Sequence, residues 1–127
     1  AATAALAAAG LADRATAVAG SFFDPLPAGA DGYLLSLVVH NWADRDATAL
    51  LRRCADAAGG TGAVFVIENT GPDGASPPSG MDLRMLAYCG GKERSVQELG
   101  DLAAAAGLRT AGVHPAGTLS IVRFVAA

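Results

Sequence analysis

The sequence predicts an α/β fold, and three observations carry that prediction. Two short runs, Gly32 to Val39 (GYLLSLVV) and Ala63 to Ile67 (AVFVI), are almost continuously apolar, as strands buried on both faces of a parallel sheet are. Between them, residues 44–58 carry apolar side chains at helical spacing, and a strand–helix–strand order favours parallel pairing. The chain closes on Arg109 to His114 and Thr118 to Val125, joined only by Pro115-Ala116-Gly117. That link is short enough for an antiparallel hairpin.

Taken in order, residues 1–9 (AATAALAAA) are strong helix formers, and Gly10 stands where a glycine ends a helix. Arg14 to Ala19 (RATAVA) reads as a short strand, left by a loop with Pro25 and Pro27. After the Gly32–Val39 strand, Asp44 is placed to cap a helix that buries Ala47, Leu50, Leu51, Cys54 and Ala58 and stops at Gly59-Gly60. Residues 69–80 (NTGPDGASPPSG) are loop by composition, and Met81 to Tyr88 a short helix. Ser95-Val96-Gln97-Glu98 has the form of a capping box. The helix it starts turns Leu99, Leu102, Ala103 and Ala106 inward and ends at Gly107.

The 127 residues suffice for one domain and one core. The net charge of −3 and the scatter of nine basic residues, eight of them Arg, give no footprint for nucleic acid or an anionic membrane. No apolar run approaches the ~20 residues of a membrane span. The Ala-rich start lacks the basic region of a signal peptide. Cys54 and Cys89 have neither disulfide-framework nor metal-ligand spacing, and a reducing cytoplasm is expected.

Ligands of open α/β sheets bind at the carboxyl ends of the strands. His40-Asn41-Trp42 leaves one such end and Glu68 another, on successive strands joined by one helix, so the two can meet. A histidine there equally suits a structural cap, and a lone glutamate is more often a solvated surface group. A carboxylate beside an imidazole fixes its tautomer and makes it a better general base. Glu93 follows Gly90-Gly91, a pair that allows close backbone approach, on a loop able to fold over the same edge. One histidine with two carboxylates is a weak metal set, so acid–base work is preferred and no metal is expected. His114, late in a hairpin strand with no partner group nearby in sequence, reads as structural.

The strings VVHNWAD, GSFFDPLPAGADGYLLS, DLRML and GGKERS resemble, in order and spacing, the S-adenosylmethionine-dependent O-methyltransferases of small aromatic acceptors. The bacterial branch that tailors aromatic polyketides in antibiotic biosynthesis looks closest. The resemblance runs along essentially the whole chain. It implies a Rossmann-like methyltransferase sheet with a C-terminal antiparallel hairpin. The chain would be the C-terminal part of the catalytic domain, incomplete because the N-terminal strands and the helical dimerisation domain are absent. Two strand edges normally paired would then lie open, so the isolated segment is expected neither to hold a native sheet nor to be active.

By the same resemblance, His40 is the general base of an SN2 methyl transfer from S-adenosylmethionine to an aromatic hydroxyl. Glu68 and Glu93 flank it and complete the catalytic set. Ser21, Phe22 and Ser36 would touch the cofactor, and Asn41, Trp42, Met85, Tyr88 and Cys89 the substrate. Asn41 and Ser21 depart from the aspartates many members carry, and the amide removes a charge beside the base. A homodimer through the missing N-terminal domain is implied, with a small aromatic substrate, an aromatic polyketide or hydroxy-naphthoate-like acceptor. Two alternatives stay open: a relative that uses the cofactor for hydroxylation or decarboxylation of a polyketide, and a non-catalytic fragment.

Overall fold

The alternation of short apolar runs with amphipathic helices closes into a four-stranded mixed sheet covered on one face by helices. The computed structural model describes residues 1–71, 74–75 and 80–127. Residues 72, 73 and 76–79 of the predicted loop lie outside the described residues, as do the side chains of Met81 and Asp82. The elements are α1 (Ala2–Ala8), β1 (Gly32–Ser36), a 3₁₀ turn (Val39–Asn41), α2 (Asp44–Ala58), β2 (Ala63–Glu68), α3 (Gly80–Cys89), α4 (Val96–Ala105), β3 (Leu108–Ala116) and β4 (Leu119–Ala126).

The sheet order is β1-β2-β4-β3. β1 and β2 run parallel, with Gly32 opposite Ala63 and Ser36 opposite Ile67. β4 lies antiparallel to both β2 and β3, so the last two strands form the expected hairpin. A bulge between Thr110 and Gly112 bends β3 away from strict register.

The apolar stripe of α2 (Ala47, Leu50, Leu51, Cys54 and Ala58) is buried throughout. It packs with Leu99, Leu102 and Ala103 of α4 against Val64 and Val66 of β2 and Val122 and Phe124 of β4. Burial of each large aliphatic group there is worth about 1.5–3 kcal/mol. The capping box forms as expected, with Ser95 Oγ accepting from the Glu98 amide and the Glu98 carboxylate accepting from Ser95 N–H.

Three local expectations are corrected. Residues 14–19 form turns and extended chain rather than a strand: among the described residues no strand pairs with them to complete a hydrogen-bond ladder, although β1 lies at the sheet edge. β1 ends at Ser36 rather than Val39, because Leu37 takes a left-handed conformation (φ 55°) and diverts the chain into the 3₁₀ turn. Asp44 makes no cap: Ala43 is the N-cap residue, and the Asp44 carboxylate binds an arginine instead.

Candidate active site

The diversion at Leu37 places the amides of Val38, Val39 and His40 around one point beyond the end of β1. That point is occupied by Oε1 of Glu68, the last residue of β2, which accepts all three N–H groups at 3.1, 2.8 and 3.3 Å. A left-handed residue followed by a right-handed one (Val38, φ −116°, ψ −45°) turns successive N–H groups inward, as in backbone sites that bind anions. Left-handed strain on a non-glycine residue costs about 1–2 kcal/mol, and the three amide bonds to a carboxylate offset it.

The other carboxylate oxygen, Oε2, faces the imidazole, with Nδ1 of His40 2.9 Å away. Oε1 of Glu93 stands 3.4 Å from the same nitrogen. Nδ1 is aligned with neither as a hydrogen bond, so the contact is one of electrostatic proximity rather than a directional bond. Both carboxylates are 3% exposed and the imidazole 15%, so the cluster is screened by protein and opens outward only through the ring. Burial pushes the Glu68 carboxyl above its ordinary range, while the His40 charge and the amides of His40, Val39 and Val38 pull it back in part.

Glu93 reaches this place through glycine. α3 ends at Gly90 in a left-handed conformation (φ 71°), with Gly90 N–H donating to Leu86 and Gly91 N–H to Met85. Gly91 then lies against the backbone of the 3₁₀ turn, where a Cβ would stand 2.0 Å from the His40 carbonyl oxygen. No other residue allows that approach.

The nitrogen and carboxylate oxygens of His40, Glu68 and Glu93 all lie within 4.8 Å, a spacing that would also admit a cation. Glu68 Oε1 is committed to its three amides, so the set fits a proton held between carboxylates better than an ion needing several oxygens.

The remaining sites expected from sequence are arranged around this turn. Asn41 Nδ2 donates to the Leu37 carbonyl, bracing the left-handed residue, and the half-buried Trp42 meets Phe23 edge-on at 4.8 Å between ring centroids. That contact brings the loop of Ser21 and Phe22 beside the turn. Ser21 closes this loop on itself, its Oγ accepting from Phe23 N–H, and the Phe22 ring is exposed. Ser36, on the last residue of β1, is exposed. Met85 is half-buried on α3, which packs beside the turn, whereas Tyr88 and Cys89 are exposed at its end. His114 is exposed on β3.

Sequence reasoning missed Arg94. Its guanidinium, 1% exposed, donates to the carbonyls of Val39, Trp42 and Lys92 and to Oδ1 of Asp44. An arginine directly after a motif glutamate was the available signal, but nothing in sequence distinguishes a buried arginine from a solvated one.

A family model described as an O-methyltransferase domain matches residues 1–109. The chain is 59% identical over 117 residues to a 2,7-dihydroxy-5-methyl-1-naphthoate 7-O-methyltransferase of Streptomyces carzinostaticus, spanning 92% of this chain and 35% of the relative. It is 41% identical over 117 residues to the aclacinomycin 10-hydroxylase RdmB of Streptomyces purpurascens, spanning 89% of this chain and 31% of the relative. The crystal structure of an O-methyltransferase (NcsB1) from neocarzinostatin biosynthesis, in complex with S-adenosylmethionine and 2-hydroxy-5-methyl naphthoic acid, superposes with a TM-score of 0.93. The two are 56% identical, and the match covers 99% of this chain and 38% of that one. The chain thus spans about a third of the length of these relatives. Among the described residues, no helix is long and apolar enough to cross a membrane. The match over residues 1–109 takes in the turn, both carboxylates and every other candidate site residue, and the chain belongs to the O-methyltransferase domain family.

Proposed function

We propose that this chain is the C-terminal part of the catalytic domain of an S-adenosylmethionine-dependent O-methyltransferase acting on an aromatic hydroxyl of a polyketide or hydroxy-naphthoate type. The observation that carries the reading is the imidazole of His40 held between two buried carboxylates at the carboxyl end of a parallel strand pair. Support for the acceptor class comes from the 59% identity to a naphthoate methyltransferase.

With Nδ1 facing both carboxylates, its N–H is the favoured tautomer and Nε2 keeps a lone pair. A phenol of pKa about 10 is mostly protonated at neutral pH, so a base within hydrogen-bond reach is useful. Nε2 of His40 takes the hydroxyl proton, and the negative charges of Glu68 and Glu93 stabilise the resulting imidazolium. The cofactor supplies an electrophilic methyl group. Ser21, Phe22 and Ser36 would hold its adenosine: an exposed ring and two hydroxyls near the turn match an aromatic base and a ribose in chemistry. Asn41, Trp42, Met85, Tyr88 and Cys89 would line the acceptor side. Two free cysteines accord with a cytoplasmic enzyme, and a homodimer formed outside this segment is part of the proposal.

The test is turnover of the full-length protein with labelled cofactor against a panel of hydroxy-aromatic acids, with His40→Ala alongside. General-base assistance is worth ~10²–10⁴-fold, so the variant should lose at least an order of magnitude in kcat while still binding cofactor. Unchanged turnover would remove His40 from the chemistry. The 41% identity to RdmB favours one second reading, oxidation of the same class of acceptor. Product mass separates the two, since methylation adds CH2 and hydroxylation adds O.

A further inference from the structure

The 3₁₀ turn closes with Trp42 N–H donating to Val39 O at 3.2 Å. Val39 O and Trp42 O, which bracket His40 and Asn41, also accept from the two terminal nitrogens of one side chain, Arg94, at 3.1 and 2.8 Å. The same guanidinium donates to Lys92 O at 3.3 Å, which fixes the segment from which Glu93 projects. It is anchored in turn by Oδ1 of Asp44, the first residue of α2, at 2.7 and 3.1 Å. Three separate elements therefore converge on one planar fork: the turn carrying the base, the loop carrying its second carboxylate, and the helix that follows the turn.

A rigid five-donor fork suits this task, whereas an ammonium on a flexible stem can satisfy only part of it. The arginine reaches neither the imidazole nor Glu93 in these contacts, so any effect on the reaction must pass through position. We infer that Arg94, locked by Asp44, is a positioning residue that sets the distance between His40 and Glu93. The inference rests on the general-base reading given above. The 3.4 Å separation between Glu93 Oε1 and His40 Nδ1 is the quantity Arg94 controls, while the 2.9 Å contact to Glu68 is set independently by the strand pairing and the three turn amides.

Arg94→Lys, His40→Ala and the double variant, made in the full-length protein, test it by steady-state kinetics, cofactor titration and thermal melting. A misplacement of roughly 1 Å can cost about 10²-fold, so Arg94→Lys should lower kcat at least about tenfold with KM and cofactor affinity held within about twofold. If Arg94 acts through His40, the double variant should be no slower than His40→Ala alone, within about twofold, because the two effects share one cause. Should Arg94→Lys fail to fold, Asp44→Asn takes its place. That carboxylate is 60% exposed, and its loss should lower kcat several-fold in the same pattern. An undiminished kcat in both variants, a rise in KM alone, or costs that multiply in the double variant would overturn the positioning role while leaving His40 as the base. Full turnover in His40→Ala itself would overturn the general-base reading and this inference with it.

Discussion

Adding one methyl group at Gly91 should disable the site without touching any titratable group. A Cβ there would stand 2.0 Å from the His40 carbonyl oxygen, 2.6 Å from the Asn41 carbonyl carbon and 2.8 Å from the Trp42 nitrogen. All three are backbone atoms of the turn, so no flexible side chain can swing aside. The closest contact is about 1.4 Å short of the 3.4 Å at which ordinary van der Waals contact begins, so in Gly91→Ala the loop must retreat by about that amount. Glu93, two residues on, would be carried away from a nitrogen it now approaches to 3.4 Å, whereas Glu68 on β2 would stay. A shift of this size implies a loss of about 10²-fold in kcat, and overpacking costs about 1–3 kcal/mol of stability. The assay is the initial rate with labelled cofactor, paired with thermal melting followed by circular dichroism. Gly60→Ala is the matched control, since a Cβ there meets nothing within 4 Å and its backbone is not left-handed. A Gly91→Ala enzyme that folds and turns over within about twofold of the parent would show that the close approach is not what places Glu93.

Two further outcomes follow from the buried titratable groups. Burial raises the Glu68 carboxyl, so activity should begin to fall, as pH is lowered, above the range of an ordinary carboxylate, and Glu68→Gln should show a lower kcat with a changed acid limb. The stability sign is the reverse: a raised carboxyl costs the folded state when ionised, so the gap between Glu68→Gln and the parent in chemical denaturation should shift toward the parent as pH falls. For the thiols, Cys54 is 1% exposed and raised to about 11 by burial, so iodoacetamide on the native protein should label Cys89 and leave Cys54 intact until denaturant is added, as read by mass spectrometry. Rapid native labelling of Cys54 would contradict the packing of α2 against the sheet.

Much of this fold is legible because it is written in local rules. The spacing of Leu50, Leu51 and Cys54, the Ser95–Glu98 box and the short hairpin link, which the structure tightens from the expected Pro115-Ala116-Gly117 to Gly117-Thr118, each specify their element through interactions within a few residues. The failures are where a distant partner decides. Arg14 to Ala19 has strand-like composition but pairs with no strand among the described residues. Leu37 is an ordinary strand residue by propensity, and its left-handed turn is held by Glu68, 31 positions later, and by Asn41. Asp44 looks like a cap and is diverted by Arg94, fifty positions away. In the site, His40 and Glu68 were foreseeable from the parallel strand pair alone. Their orientation was not, because it depends on the turn that the pattern did not announce.

That dependence has a chemical consequence. A general base must gain and lose a charge in each cycle, and surroundings that reorganise each time add to the barrier. The carboxylate nearest His40 is held by its far oxygen in three backbone N–H bonds, a grip indifferent to whether the imidazole is charged. Only its near oxygen answers to Nδ1, at 2.9 Å. The strain at Leu37 therefore buys a fixed negative pole for the imidazolium, positioned before any proton moves. Glu93 comes from a separate loop, and its place depends on the close approach at Gly91 and, in the inference above, on Arg94. The two carboxylates should then differ in kind. Loss of Glu68 should disturb the turn as well as the charge, so Glu68→Gln should lower both kcat and melting temperature, whereas Glu93→Gln should act mainly on kcat.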